Sequence, residues 1–133
     1  MDKIFIYADG GCKGNGTGHP EAYGSFAVKY KGDIKRRREC KFPEASTNNE
    51  AEYGALLAAF TYISELRDSG KPLPDIEILM DSELVVSQLT NGWKVKAANL
   101  KSLHQAARAW MDSNPTVELH HVPREQIEAV LGH

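Results

Sequence analysis

The chain has 133 residues, 41% of them hydrophobic and 26% charged, which suits one globular domain over residues 1–133 with a real core and excludes a disordered chain. A formal net charge of −2 excludes an indiscriminate polycation, though not a site where bound cations reverse the local charge. No apolar stretch approaches the roughly 20 residues of a membrane span, the N-terminus lacks a signal sequence, and Cys12 and Cys40 fit a reduced, cytoplasmic chain with two free thiols.

In chain order, Lys3 to Asp9 is dense in Ile, Phe and Tyr and reads as a strand buried on both faces. Gly10 to Gly18 holds five glycines and reads as a turn. Strands are expected at Tyr23–Lys31 and Asp33–Phe42, joined through Lys31-Gly32-Asp33 as a tight hairpin. A long helix follows over Asn48–Leu66, then a Gly/Pro loop and a strand at Ile76–Met80. Short helices fit Glu83–Leu89 and Leu100–Met111, a last strand Thr116–Val122 and a final helix Arg124–Leu131. That order predicts an α/β fold, a mixed sheet flanked by helices.

Three carboxylates stand where a core has little use for them. Asp9 and Asp81 end apolar runs, at the strand exits where such sheets place ligand crevices. Glu52 lies near the start of the long helix, one residue pair beyond a capping box of Thr47 and Glu50. Helical spacing aligns Glu52 with Leu56, Ala59, Ile63 and Leu66, so it heads a buried stripe. An ionised carboxylate there costs several kcal/mol without a partner, and something cationic should meet it: a divalent ion, or a lysine or arginine.

The ordered series Ile6-Tyr7-Ala8-Asp9-Gly10-Gly11, Thr47-Asn48-Asn49-Glu50-Ala51-Glu52-Tyr53, Met80-Asp81-Ser82-Glu83-Leu84-Val85 and Val122-Pro123-Arg124-Glu125 resembles the type 1 ribonuclease H family, most of all its compact bacterial and archaeal forms. The resemblance runs over nearly the whole chain. It implies a ribonuclease H-like five-stranded mixed sheet, and an endonuclease hydrolysing the RNA strand of RNA–DNA hybrids to leave 5′-phosphate and 3′-hydroxyl ends. A non-catalytic nucleic-acid-binding module of the same fold is the alternative. An exonuclease of the broader fold normally carries a second acid two residues after the first aspartate, where this chain has Gly11.

The chemistry suits the residues independently of the family. Phosphodiester hydrolysis needs an activated water, a stabilised phosphorane and a stabilised leaving oxygen, which two cations about 4 Å apart supply. Asp9 would bridge two ions, with Glu52 and Asp81 holding one or both, and hard oxygen ligands favour Mg²⁺ or Mn²⁺ over Zn²⁺. The expected partner is an RNA–DNA hybrid, recognised by backbone, shape and the 2′-hydroxyl, with no membrane and no obligate protein partner. Gly10 and Gly11 would let a nucleic-acid backbone approach closely, with Cys12 lining the same groove. Asn48 and Asn49 offer amides near a positive helix end; the resemblance implies that they touch sugars and bases, and that Thr47 helps hold a DNA phosphate. Trp93, Lys94 and Lys96 form the expected DNA-side handle, an aromatic with two lysines of one strand-like parity.

Two departures from the family stand out. It places a fourth acid eight positions after the proline of Val-Pro-Arg-Glu, and this chain has Leu131 there. Substitutes are His133, re-aimed by Gly132; Glu128, one turn earlier; or the terminal carboxylate. Arg124 faces the same site and could orient water or help release product, or form a loop salt bridge. The second departure is leanness in cations. No hybrid-binding domain is expected before Met1 and no lysine-rich insertion after Trp93, and Lys35-Arg36-Arg37-Arg38 reads as a solvated sheet edge. Weak, salt-sensitive hybrid binding is the expectation.

Overall fold

A computed structural model describes residues 2–14 and 18–133. Five strands and four helices follow in the order β1 (Ile4–Lys13), β2 (Glu21–Tyr30), β3 (Asp33–Lys41), α1 (Asn48–Asp68), β4 (Ile76–Met80), α2 (Glu83–Thr90), α3 (Ala98–Asp112), β5 (Val117–His121) and α4 (Arg124–Leu131). One mixed sheet has the order β3-β2-β1-β4-β5. The β1–β2 and β2–β3 pairs are antiparallel, and β4 joins β1 and β5 in parallel. No described helix is long and apolar enough to cross a membrane.

The expected α/β architecture and every expected element are present, with shifted ends. The hairpin turn is Lys31-Gly32, both with positive φ (53° and 81°), between the paired residues Tyr30 and Asp33. This is the twist-matched two-residue turn that joins antiparallel strands. Beyond it β3 is an edge strand whose Lys35, Arg36 and Arg37 are exposed, the solvated charged edge that discourages further pairing.

Three expectations need correction. The glycine-rich stretch is not a turn from its start, because β1 continues through Gly10, Gly11 and Cys12 to Lys13, pairing with Glu21–Gly24; residues 15–17 of the expected turn lie outside the described residues. Nor is β1 buried on both faces. Ile4, Ile6 and Ala8 are core, while Phe5 and Tyr7 are half-buried and border an open groove of about 690 Å³ with Lys29, Leu79 and Gln126. The long α1 covers one face, whereas the eight-residue α4 is too short to cover the other. Finally, Gly92–Lys96 forms an irregular loop between α2 and α3, not a strand.

The core lies between the sheet and α1, where Leu56, Ala59 and Ile63 are buried in one cluster with Ile6, Phe26, Ile78 and Met80. The stripe headed by Glu52 therefore faces the sheet as its spacing requires, with Leu66 only partly buried at its end. Thr47 caps α1: its Oγ1 accepts from Glu50 N at 3.2 Å. Glu50 closes the cap one residue further back than in the usual box, its Oε1 accepting from the amide of Ser46 (3.2 Å) and the hydroxyl of Thr47 (3.0 Å). Burial pushes the Glu50 carboxyl up, but hydrogen bonds from Ser46, Thr47 and Asn99 outweigh it and leave the group below its ordinary range.

Candidate active site

Parallel pairing sets the middle of β1 beside the carboxyl end of β4, so that Asp9 lies inside its strand rather than at the strand exit expected for it. Tyr7 pairs with Leu79, and two residues on in the same register Asp9 stands beside Asp81. The first turn of α1 delivers Glu52 to the same place. Each of the three offers a carboxylate oxygen, all within 4.8 Å of one another. Asp9 and Glu52 are buried and Asp81 is half-buried.

Gly10 is what lets α1 come so close. A Cβ there would lie 2.2 Å from the carbonyl oxygen of Ala51, so any other residue would push the helix away. Its amide donates to Glu52 Oε1 at 3.0 Å. The second oxygen, Oε2, is buried without a hydrogen-bond partner. Burial pushes the Glu52 carboxyl up to about 9, with contact and charge from Asp9 next in size and Asp81 adding to them; only the Gly10 hydrogen bond opposes the rise. Asp81 is also raised, by burial and by Asp9, against the opposing charge of Arg124. Glu52 is thus held as a proton-bearing group that an added cation would displace toward its charged form.

These residues fit divalent cations. Oxygen donors converge from three elements, two of them buried, and one buried oxygen has no partner; hard ions of the Mg²⁺ or Mn²⁺ type match that donor set. Another described group, Glu77, Glu118 and His120, meets the same distance criterion but is already balanced. Lys3 Nζ lies 3.2 Å from Glu77 and 3.3 Å from Glu118, raising its own pKa and lowering that of Glu118.

His133 reaches the carboxylates. Gly132 caps α4 at φ 81°, a left-handed conformation that suits glycine, and turns the chain back over the sheet. His133 Nδ1 is 3.1 Å from Asp9 Oδ2, and Nε2 is 2.5 Å from Ser25 Oγ. The ring also meets Tyr23 edge-on, centroids 6.0 Å apart. Glu128 is exposed and engaged elsewhere, accepting from Arg124 Nε at 2.9 Å. Arg124 opens α4 rather than lying in a loop, and its Nη1 is 3.4 Å from Asp81 Oδ2. It therefore links Glu128 to the site's edge.

Of the other expected residues, Gly10, Gly11 and Cys12 lie on β1 just beyond Asp9, and Thr47, Asn48 and Asn49 at the start of α1. Gly10 and Cys12 have committed amides, to Glu52 and to Asn48 Oδ1 (2.7 Å) respectively, so neither amide is open to a nucleic-acid backbone. The missing Cβ of Gly11 makes room for the Tyr23 ring. Asn49 is exposed in the first turn of α1. Trp93 is 47% exposed, an unusual cost for an indole, and Lys94 and Lys96 beside it are exposed too. Ser25, Tyr23 and Arg37 were not expected at this site; only the strand register, which pairs Ser25 with Asp9, reveals the first.

Comparison with known proteins agrees with this geometry. Residues 9–131 match the family described as reverse transcriptase-like. The chain is 34% identical to ribonuclease HI of Halobacterium salinarum over 122 residues, covering 92% of this chain and 57% of that protein. It is 32% identical to the bifunctional protein Rv2228c of Mycobacterium tuberculosis over 122 residues, covering 92% of this chain and 32% of that protein. The chain thus spans about a third to somewhat over half of these relatives. Among solved structures, LC11-RNase H1, isolated from compost by a metagenomic approach, superposes with a TM-score of 0.84 at 30% identity, covering 99% of this chain and 92% of that one. The same LC11 protein in complex with an RNA/DNA hybrid gives 0.82 at 29% identity, covering 97% and 91%. With the five-stranded order, the clustered carboxylates and a match over nearly its full length, the chain belongs to the type 1 ribonuclease H family.

Proposed function

We propose that the protein is a metal-dependent endonuclease that hydrolyses the RNA strand of RNA–DNA hybrids, leaving 5′-phosphate and 3′-hydroxyl ends. The observation that carries this reading is the convergence of Asp9, Glu52 and Asp81 within 4.8 Å, with Glu52 Oε2 buried and unpartnered. A binding module has no use for so costly a cluster. The hybrid-bound LC11 relative supports the substrate class.

Two divalent cations, when bound, supply water activation and stabilise charge on the phosphate and the leaving oxygen. Asp9 would bridge both, Glu52 and Asp81 would each hold one or both, and His133 would complete the set through Nδ1. Its 3.1 Å approach to Asp9 favours it over Glu128, which is held by Arg124. The Gly10 amide fixes the Glu52 carboxylate, so that little reorganisation remains when charge develops. Arg124 keeps Asp81 oriented and carries positive charge to the rim of the site, where product phosphate would leave.

Substrate would lie over Asp9 on β1 and the carboxyl end of β4. Cys12, Asn48 and Asn49 would meet the RNA side through their side chains, with the Gly10-Gly11 backbone beneath, and Thr47 the DNA phosphate. The exposed Trp93 with Lys94 and Lys96 would hold the DNA strand by stacking and charge. An assay with each strand end-labelled tests the reading: hybrid should be cut internally on RNA only, with DNA duplex untouched and double-stranded RNA cut poorly at most. Comparable cleavage of DNA duplex would overturn ribose selection, and shortening from one end would indicate an exonuclease.

A further inference from the structure

Five contacts hold the His133 ring and the chain leading to it. Nδ1 faces Asp9 Oδ2 at 3.1 Å, Nε2 faces Ser25 Oγ at 2.5 Å, and Tyr23 meets the ring at an interplanar angle of 75°. Below it, the Gly132 amide donates to Glu128 O at 2.8 Å, and Arg37 Nη1 donates to Val130 O at 2.6 Å, tying the last turn of α4 to β3. Together these contacts make a built seat for the ring.

We propose that Ser25 is a positioning residue that lets His133 present a bare Nδ1 beside Asp9, an inference that rests on reading His133 as the fourth metal ligand. A neutral imidazole carries one N–H and one lone pair, and the hydrogen bond at one nitrogen decides the state of the other. Nδ1 faces the Asp9 carboxylate and Nε2 the Ser25 hydroxyl, and which nitrogen donates is set by the tautomer. As a ligand, Nδ1 must offer its lone pair, so the proton sits on Nε2 and Ser25 Oγ must accept it. A change from the Nδ1–H to the Nε2–H form releases one proton to solvent and takes one from solvent, leaving the ring's charge unchanged.

A hydroxyl serves both states by rotating, because it is donor and acceptor at once. Ser25 is only 7% exposed, so water would not readily take its place. With alanine there, the ligand state would leave Nε2–H without its Ser25 acceptor, and that penalty falls on metal affinity.

The test is Mn²⁺ binding to substrate-free protein by calorimetry, for wild type, Ser25→Ala, Ser25→Thr, His133→Ala and the Ser25→Ala/His133→Ala double variant. Ser25→Ala and His133→Ala should each weaken binding by about tenfold. The double variant should be no weaker than His133→Ala, and Ser25→Thr should recover most of the loss. Imidazole ¹⁵N spectra of wild type with saturating Mg²⁺ should show a metal-dependent change that leaves the proton on Nε2, which tests the ligand reading of His133 and needs no variant to fold. Wild-type affinity in Ser25→Ala, or additive losses in the double variant, would overturn the role of Ser25 while leaving His133 as a ligand. Unchanged affinity in His133→Ala, with imidazole spectra indifferent to Mg²⁺, would overturn the ligand reading itself.

Discussion

The Gly10 amide donates to Glu52 Oε1 at 3.0 Å, across a gap so narrow that a Cβ on Gly10 would lie 2.2 Å from the Ala51 carbonyl oxygen. Strand and helix touch through backbone there, and the contact sets the position of the Glu52 carboxylate. Gly10→Ala should therefore destabilise the protein by about 2 kcal/mol or more through overpacking, and should reduce cleavage beyond what the loss of folded protein explains. Urea denaturation alongside activity per folded molecule separates the two effects.

Metal-free stability should depend on pH through Glu52. Its folded-state carboxyl is raised from 4.5 to about 9, so the folded protein binds more protons than the unfolded chain between those values. Stability is then greatest below the unfolded pKa and falls as pH rises through that window. Glu52→Gln removes the titration. In EDTA it should nearly match wild type at pH 4.5 and exceed it by several kcal/mol at pH 8.5, while abolishing cleavage. A gap between the two proteins that does not grow with pH would show that Glu52 ionises normally.

Glu50 separates cap from catalyst. Glu50→Gln should keep most activity, because a glutamine oxygen can still accept from Ser46 and Thr47, and Thr47→Ala should cost about 1 kcal/mol of stability. Cleavage rates and thermal melts of both variants check this. A dead Glu50→Gln with an active Glu52→Gln would reverse the assignment.

Most of this was legible in sequence, for physical reasons. Asp9 and Asp81 each end an apolar run, and Glu52 heads a helical stripe, so breaks in three hydrophobic patterns announce where the carboxylates meet, although Asp9 itself lies inside β1. The extension of β1 through Gly10 and Gly11 was not legible, because glycines that signal a turn also permit close packing against a helix or a tyrosine ring. The seat of His133 was not legible either. Ser25 becomes its neighbour only through strand register, and Arg37 only through a bond to a carbonyl ninety-three residues away; neither leaves a local pattern.

Trp93 and Arg124 should show binding and chemistry coming apart. Trp93→Ala removes a half-exposed indole, so stability should change by about 0.5 kcal/mol or less, while KM for hybrid rises about fivefold for a lost stacking contact. Arg124→Ala should likewise leave stability nearly unchanged, since its ion pairs are exposed, but should lower kcat. Steady-state kinetics on hybrid distinguish the two patterns, and a change in kcat alone for Trp93→Ala would place it nearer the chemistry.

The most direct test pairs cleavage with binding. Labelled RNA–DNA hybrid is titrated with Mg²⁺ or Mn²⁺ over wild type and Asp9→Asn, with hybrid binding measured on the same samples. The expected result is RNA-strand cleavage by wild type that requires metal and stops in EDTA, and an Asp9→Asn protein that binds hybrid without cutting it. A folded wild type that binds hybrid yet leaves it intact at every metal concentration would contradict the assignment of Asp9, Glu52 and Asp81 as a hydrolytic centre.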